Sequence, residues 1–179
     1  MKRNSNSGFS LIEMLIVIAI AMVLAGIAIP IFGNAMNSYR ESAAVSAVTS
    51  AIQATRYQAI MHGYPYELVF TSTGLTYQIF NEVPPATSFS LVTPGVGSAT
   101  TPLPSAGGIV MTGLVGCTTT NSLTNCTTMT GTTITYTFAA NGTVTVSPGI
   151  ALIEISNSVK YSLIAVSGVG NVTVTNLSY

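Results

Sequence analysis

The chain has no aspartate, and its charged residues make up only 6% of 179 positions. A soluble cytoplasmic domain carries about 25% charged residues, so the ionic coat of such a domain is missing here. The deficit is concentrated in the middle. No charged residue lies between Glu82 and Glu154, while Ser and Thr fill 20 of the 50 positions from Ala86 to Thr135. That surface is solvated by hydroxyls and amides. It offers no basic footprint for nucleic acid, which must be met by clustered Lys and Arg. With one histidine and five scattered glutamates, a triad or a carboxylate pair has no ready members. No catalytic residue is assigned, and an enzyme is not expected. Cys117, Cys126 and the lone His62 cannot supply four zinc ligands, so neither a metal nor another cofactor is expected. The two cysteines sit close together in a Thr- and Asn-rich stretch. In an exported protein they read as a short-loop disulfide contributing about 2–3 kcal/mol, and in a cytosolic protein as two free thiols.

What the chain does have is apolar bulk, 48% of its residues, and one long uncharged run. Met14 to Phe32 is 19 residues without a charge. As a helix it would extend about 28 Å, close to the ~30 Å hydrocarbon thickness of a bilayer. Lys2 and Arg3 precede it, which keeps the N-terminus cytoplasmic and sends the remainder outward. A cleaved secretory signal, a plain anchor and an assembly helix all begin this way. Glu13 separates them. A signal peptide has bases before its apolar stretch and small residues behind it. Here a carboxylate follows Phe9-Ser10-Leu11-Ile12 at the mouth of the run. An acid at mid-bilayer costs about 2.5–3.5 kcal/mol on insertion scales, less near an interface, so it calls for a partner. The obvious partner is a nearby amine, such as a newly made α-amino terminus.

A cut between Gly8 and Phe9 would make that amine. In this segment the chain resembles the type IV prepilins. Lys2 to Gly8 looks like their short basic leader, and Phe9 to Ile18 like the methylated start of their mature subunits. The resemblance implies that a prepilin peptidase cleaves after Gly8 and methylates the amine of Phe9. It also implies that Glu13, fifth in the mature chain, pairs with the N-terminal amine of a neighbouring subunit during assembly. Pro30 falls where pilins commonly carry a helix-breaking proline. With Gly26 one turn earlier, Pro30 is expected to be a local melting point of the helix.

Beyond the apolar run, Asn34, Asn37 and Ser38 mark the passage into water. The helix is expected to continue, because Ala44, Val48, Ala51, Ile52, Thr55 and Ala59 recur at three- and four-residue steps and form one narrow face. Gly63 suits a C-cap behind His62, whose imidazole fits the negative end of the helix dipole. Tyr57, Tyr64 and Tyr66 are expected to pack where helix meets sheet. After Gly63 the apolar period becomes two. Tyr66–Phe70 and Leu75–Phe80 read as a hairpin around Ser72-Thr73-Gly74, and residues 84–108 as a long loop. Ile109–Val115 reads as a further strand. Thr133–Ala139 and Thr143–Val146 flank Asn141-Gly142, a type I′ turn signal. Ala151–Ile155, Lys160–Val166 and Val172–Thr175 complete the strands. The expected fold is α+β: a long N-terminal helix, half membrane-spanning and half amphipathic, packed on a mostly antiparallel head. The domains are a leader at 1–8, an assembly helix at 9–37 and a periplasmic or extracellular head at 38–179.

Within the head, Ser42–Val69, Phe138-Ala139-Ala140-Asn141-Gly142-Thr143 and Lys160–Gly168 loosely resemble the GspH/FimT-type pseudopilins. That likeness implies a structural subunit of a type IV pilus or type II secretion pseudopilus, most simply a minor one, with a major pilin as the alternative. Its implied partners are other subunits, the prepilin peptidase and an inner-membrane assembly machinery. Its implied location is the bacterial inner membrane before assembly and a filament afterwards. DNA capture, known for some relatives, fits poorly. Ser167–Tyr179 holds no Lys or Arg, and beyond the leader only Arg40, Arg56 and Lys160 face five glutamates. A lone ligand-binding module leaves Glu13 unexplained.

Overall fold

The computed structural model describes residues 9–72, 75–92, 101–103, 109–115, 127–128, 133–146, 149–154 and 160–178. One helix, α1 (Leu11–His62, 52 residues), runs through both of the units into which the chain divides, Met1–Ser38 and Tyr39–Tyr179.

In the first unit α1 is unbroken across Pro30. Proline removes one amide donor and crowds the carbonyl four residues back. That carbonyl belongs to Gly26. The intrahelical bonds on both sides persist because propagation is cooperative. Leu11–Ile29 has a mean hydropathy of 2.8 and none of it is buried. Among the described residues it is the one helical stretch long and apolar enough to cross a membrane.

In the second unit the small-residue face of α1 meets the sheets. Ala44, Val48, Ala51, Ile52, Thr55 and Ala59 are all buried, as their spacing predicts. Thr55 is tolerated inside because its hydroxyl donates to the Ala51 carbonyl at 2.8 Å. The helix stops at His62, and Gly63 follows with φ +72°, its N–H donating to Ala59 O at 3.0 Å. This is the left-handed cap that glycine adopts at little cost.

All strand pairs are antiparallel. In one sheet β1 (Tyr66–Thr71) lies between β2 (Thr76–Asn81) and β7 (Thr133–Phe138). The two-residue strands β3 (Ser90–Leu91) and β4 (Thr101–Pro102) pair with β2, and β8 (Val144–Val146) pairs with β7. Residues 84–108 thus contain two short edge strands rather than one plain loop. The other sheet has the order β11 (Val172–Ser178), β10 (Lys160–Val166), β9 (Gly149–Glu154), β5 (Ile109–Val115), β6 (Thr127–Thr128).

Period two decides what enters the core. Tyr66, Leu68 and Phe70 of β1 stand opposite Phe138, Tyr136 and Ile134 of β7, and all six are buried. Phe70 meets Tyr136 edge-on with centroids 6.2 Å apart. Burial pushes the Tyr136 phenol far above its usual range.

Glu67 lies on the opposite face of β1, in register with Phe80 and Thr137. Partial burial raises its carboxyl above the ordinary glutamate value. The folded state therefore takes up the proton more readily than the unfolded one. Stability is greater below this window and is lost as pH rises through it. Glu67→Gln is expected to raise the melting temperature at pH 7, with the two curves converging below about pH 4. Thermal melts of the detergent-solubilised protein at the two pH values check this.

The turn between β7 and β8 is not type I′. Gly142 alone has positive φ, +79°, and its N–H donates to Ala139 O at 2.8 Å, while Ala139 N donates to Thr143 O. This is a three-residue loop ending in a left-handed glycine. Asn141 holds the loop with its Oδ1, which accepts from Thr143 N and Thr143 Oγ1 at 3.1 and 2.7 Å. That local bond replaces the need for a left-handed asparagine.

Candidate functional site

The start of α1 is organised by Ser10, whose carbonyl accepts from Glu13 N at 3.0 Å and Met14 N at 3.2 Å. Glu13 consequently lies in the first turn, where the helix dipole favours a negative charge. Around it the apolar side chains point outward: Phe9 is 74% exposed and Leu11 83%. Ile12, Met14, Leu15 and Ile16 are exposed as well. A continuous apolar surface of this extent does not stay in water, and it marks a site that lipid or other helices cover. A single carboxylate at its head becomes favourable when a cation meets it away from water.

Phe9 stands two residues before α1, and Glu13 lies in its first turn. Pro30 lies within the same helix. Gly8, Cys117 and Cys126 lie outside the described residues, as does any bond between the two cysteines.

Two features of the head depart from the sequence reading. Tyr64 and Tyr66 stack at 5.4 Å, with the His62 ring 5.5 and 5.7 Å from them. His62 Nδ1 lies 2.9 Å from Gln58 O and 3.2 Å from the Tyr66 hydroxyl. Burial is the first cause that raises the Tyr66 phenol above 10.0. Tyr57, expected in this cluster, is instead 62% exposed. It stands two residues from buried Thr55, about 200° around the helix, and so on the opposite face.

The second feature is Arg56. Its Nε donates to Gly142 O at 3.1 Å and its Nη2 to Val169 O at 3.0 Å. The guanidinium therefore brackets two hairpin turns, one from each sheet. The second turn is built like the first: Gly170 has φ +81°, Gly170 N donates to Ser167 O and Ser167 N to Asn171 O. A direct bond from Val144 N to Gly168 O at 2.9 Å ties the turns together. The sequence does carry a signal for this pair, since Ala139–Thr143 and Ser167–Asn171 each place glycine fourth of five residues. Beside the bracket lies an open groove of about 580 Å³, lined by Gln53, Arg56, Tyr57, Ile60, Asn171 and Val172 together with Gly170.

Elsewhere in the head, Glu41 of α1 accepts a hydrogen bond from the buried Ser162 Oγ at 2.7 Å. No salt bridge is seen among the described residues.

Comparison with known proteins agrees with both ends of the chain. The prokaryotic N-terminal methylation motif matches residues 3–29. The fold is similar to that of the type IV minor pilin FimU of Pseudomonas aeruginosa, with a TM-score of 0.52 and 14% identity over 77% of this chain and 89% of that one. It is also similar to EpsH, the minor pseudopilin of the Vibrio cholerae type II secretion system. One EpsH structure gives a TM-score of 0.52 at 8% identity, covering 76% of this chain and 97% of EpsH. Another gives 0.50 at 9%, covering 74% and 95%. The chain carries a prokaryotic N-terminal methylation motif ahead of a pilin-like fold. No curated protein sequence matches it. At such low identity the structural likeness shows the fold, and the motif match shows what the N-terminus is similar to.

Proposed function

We propose that this pilin-like chain is a structural subunit, most simply a minor one, of a type IV pilus or a type II secretion pseudopilus. One observation carries the reading. The exposed, uncharged surface of Leu11–Ile29 is headed by a single carboxylate, Glu13, inside a stretch that matches the methylation motif. Neither a membrane anchor nor a binding module needs that carboxylate. A subunit that leaves lipid to bury its helix against other helices uses both features.

In this reading residues 1–8 form the leader, residues 9–37 the assembly helix and residues 38–179 the head. A prepilin peptidase cuts between Gly8 and Phe9 and methylates the new amine. Before assembly the apolar helix rests in the inner membrane, with the N-terminus cytoplasmic and the head outside. During assembly, Glu13 of the incoming subunit meets the amine of Phe9 on a neighbour. The two charges neutralise each other where water is excluded, and the offset of desolvation by attraction depends on close registry. The pair therefore favours one axial position of the helix over its neighbours. Pro30, held within a continuous helix, marks a point where one backbone bond is already missing and bending costs least.

The processing step is tested at the bond itself. The protein isolated from membranes of its native cells should yield an N-terminal peptide that begins with N-methylated Phe9. A Gly8→Val variant should remain at full length in the membrane fraction. Intact residues 1–8 on the mature protein would defeat the reading.

A further inference from the structure

The groove beside Arg56 is built to receive something. Its lining contains one charged residue, Arg56, and no acid. Arg56 spends Nε and one hydrogen of Nη2 on the carbonyls of Gly142 and Val169. A guanidinium has five N–H donors. Among the described residues Nη1 and the second Nη2 hydrogen therefore have no acceptor, and no carboxylate of the head answers the charge. The turn carbonyls fix the guanidinium from behind, so its remaining fork is preorganised, and a planar fork suits a carboxylate in bidentate geometry. Tyr57, 62% exposed, and Ile60, 46% exposed, flank it. Tyrosine beside arginine is the composition that dominates interface energetics. The gap in this surface is a negative charge.

We infer that the groove is a docking site for a glutamate on a second copy of this chain beside it in the filament. This rests on the proposed filament role and adds the contact through which the head recognises its neighbour. Charge complementarity selects the occupant. Past the leader only Arg40, Arg56 and Lys160 are cationic against five glutamates, so a second copy of this chain brings acids in excess.

Gln53 gives a test that leaves the bracket intact. It is exposed and lies one turn before Arg56 on the same helix, at the spacing where side chains meet. Gln53→Glu would place a carboxylate of the chain's own beside the guanidinium and occupy the fork. Asn171→Asp, also exposed, does the same from the other wall. Each variant is expressed at native level as the full chain, and sheared filaments are quantified by mass spectrometry. The content of both acidic variants should fall by roughly fivefold or more, while Ala54→Glu, an acid at an exposed position outside the lining, stays near the parent and all melting temperatures match. A photoreactive phenylalanine at position 57 should cross-link to a glutamate-containing peptide of a second copy of this chain. Parental filament levels for both acidic variants, or a cross-linked peptide without an acid, would overturn the inference. If the parent itself is missing from filaments, the filament role fails first and the docking site falls with it.

Discussion

Replacing Glu13 by leucine is expected to leave the subunit folded and in the membrane yet to lower its content in sheared filaments by roughly tenfold or more. The direction follows from what the carboxylate costs. In lipid, an acid near the start of an apolar helix is a burden of up to about 3 kcal/mol, so the leucine variant inserts at least as well as the parent. The head should be unaffected, because Glu13 is exposed and belongs to the unit Met1–Ser38. What the variant loses is the charge that meets a neighbour's terminal amine. An assembly defect without an insertion or folding defect is therefore the signature. Membrane fractionation, thermal melting and filament mass spectrometry on the same cells separate the three. Glu13→Gln keeps the shape and one acceptor but not the charge, and should be nearly as defective. If either variant assembles at parental levels, Glu13 is only a tolerated acid.

The second large effect is expected at Gly170. An alanine there would hold its Cβ 2.5 Å from Arg56 Nε and 2.7 Å from Gly142 O, on a backbone with φ +81°. Neither neighbour is a free chain end. Arg56 Nε is tied to a turn carbonyl, and Gly142 O is that carbonyl. The strained dihedral and the overpacking together should cost the head roughly 2–4 kcal/mol. Gly142→Ala makes an informative partner. Its Cβ would meet Ile60 Cδ1 at 2.6 Å, the end of a flexible side chain that is 46% exposed. Ile60 can swing away, so the penalty should be smaller and mostly conformational. Urea denaturation of the detergent-solubilised protein should rank the parent above Gly142→Ala and Gly142→Ala above Gly170→Ala. The reverse order would mean that the Arg56 bracket is not what crowds the second turn.

The parts of the structure that the sequence announces are those governed by local periodicity. The small-residue face from Ala44 to Ala59, the glycine after His62 and the alternation of Tyr66, Leu68 and Phe70 each state an element and its buried side. The apolar run announces the exposed first half of α1 for the same reason, since composition along one helix is enough. Asn141-Gly142 misleads by suggesting two left-handed residues, when the asparagine side chain secures the turn and leaves one. Tyr57 is a matter of angle, for its place opposite Thr55 follows from helical spacing once the buried face is fixed. The Arg56 bracket is out of reach of such patterns. Its acceptors lie 86 and 113 residues further along the chain, and only the meeting of two sheets brings them to one guanidinium.

The central claim, that this chain works as a filament subunit through its N-terminal helix, is met most directly in sheared surface filaments and membrane-extracted pseudopili from native cells. Mass spectrometry of that material would quantify the chain and read its first peptide together. The account predicts a minor component whose peptide begins with N-methylated Phe9. A dominant component with the same peptide would make it a major pilin. Complete absence from filaments, with the protein left as an unprocessed membrane anchor, would contradict the account.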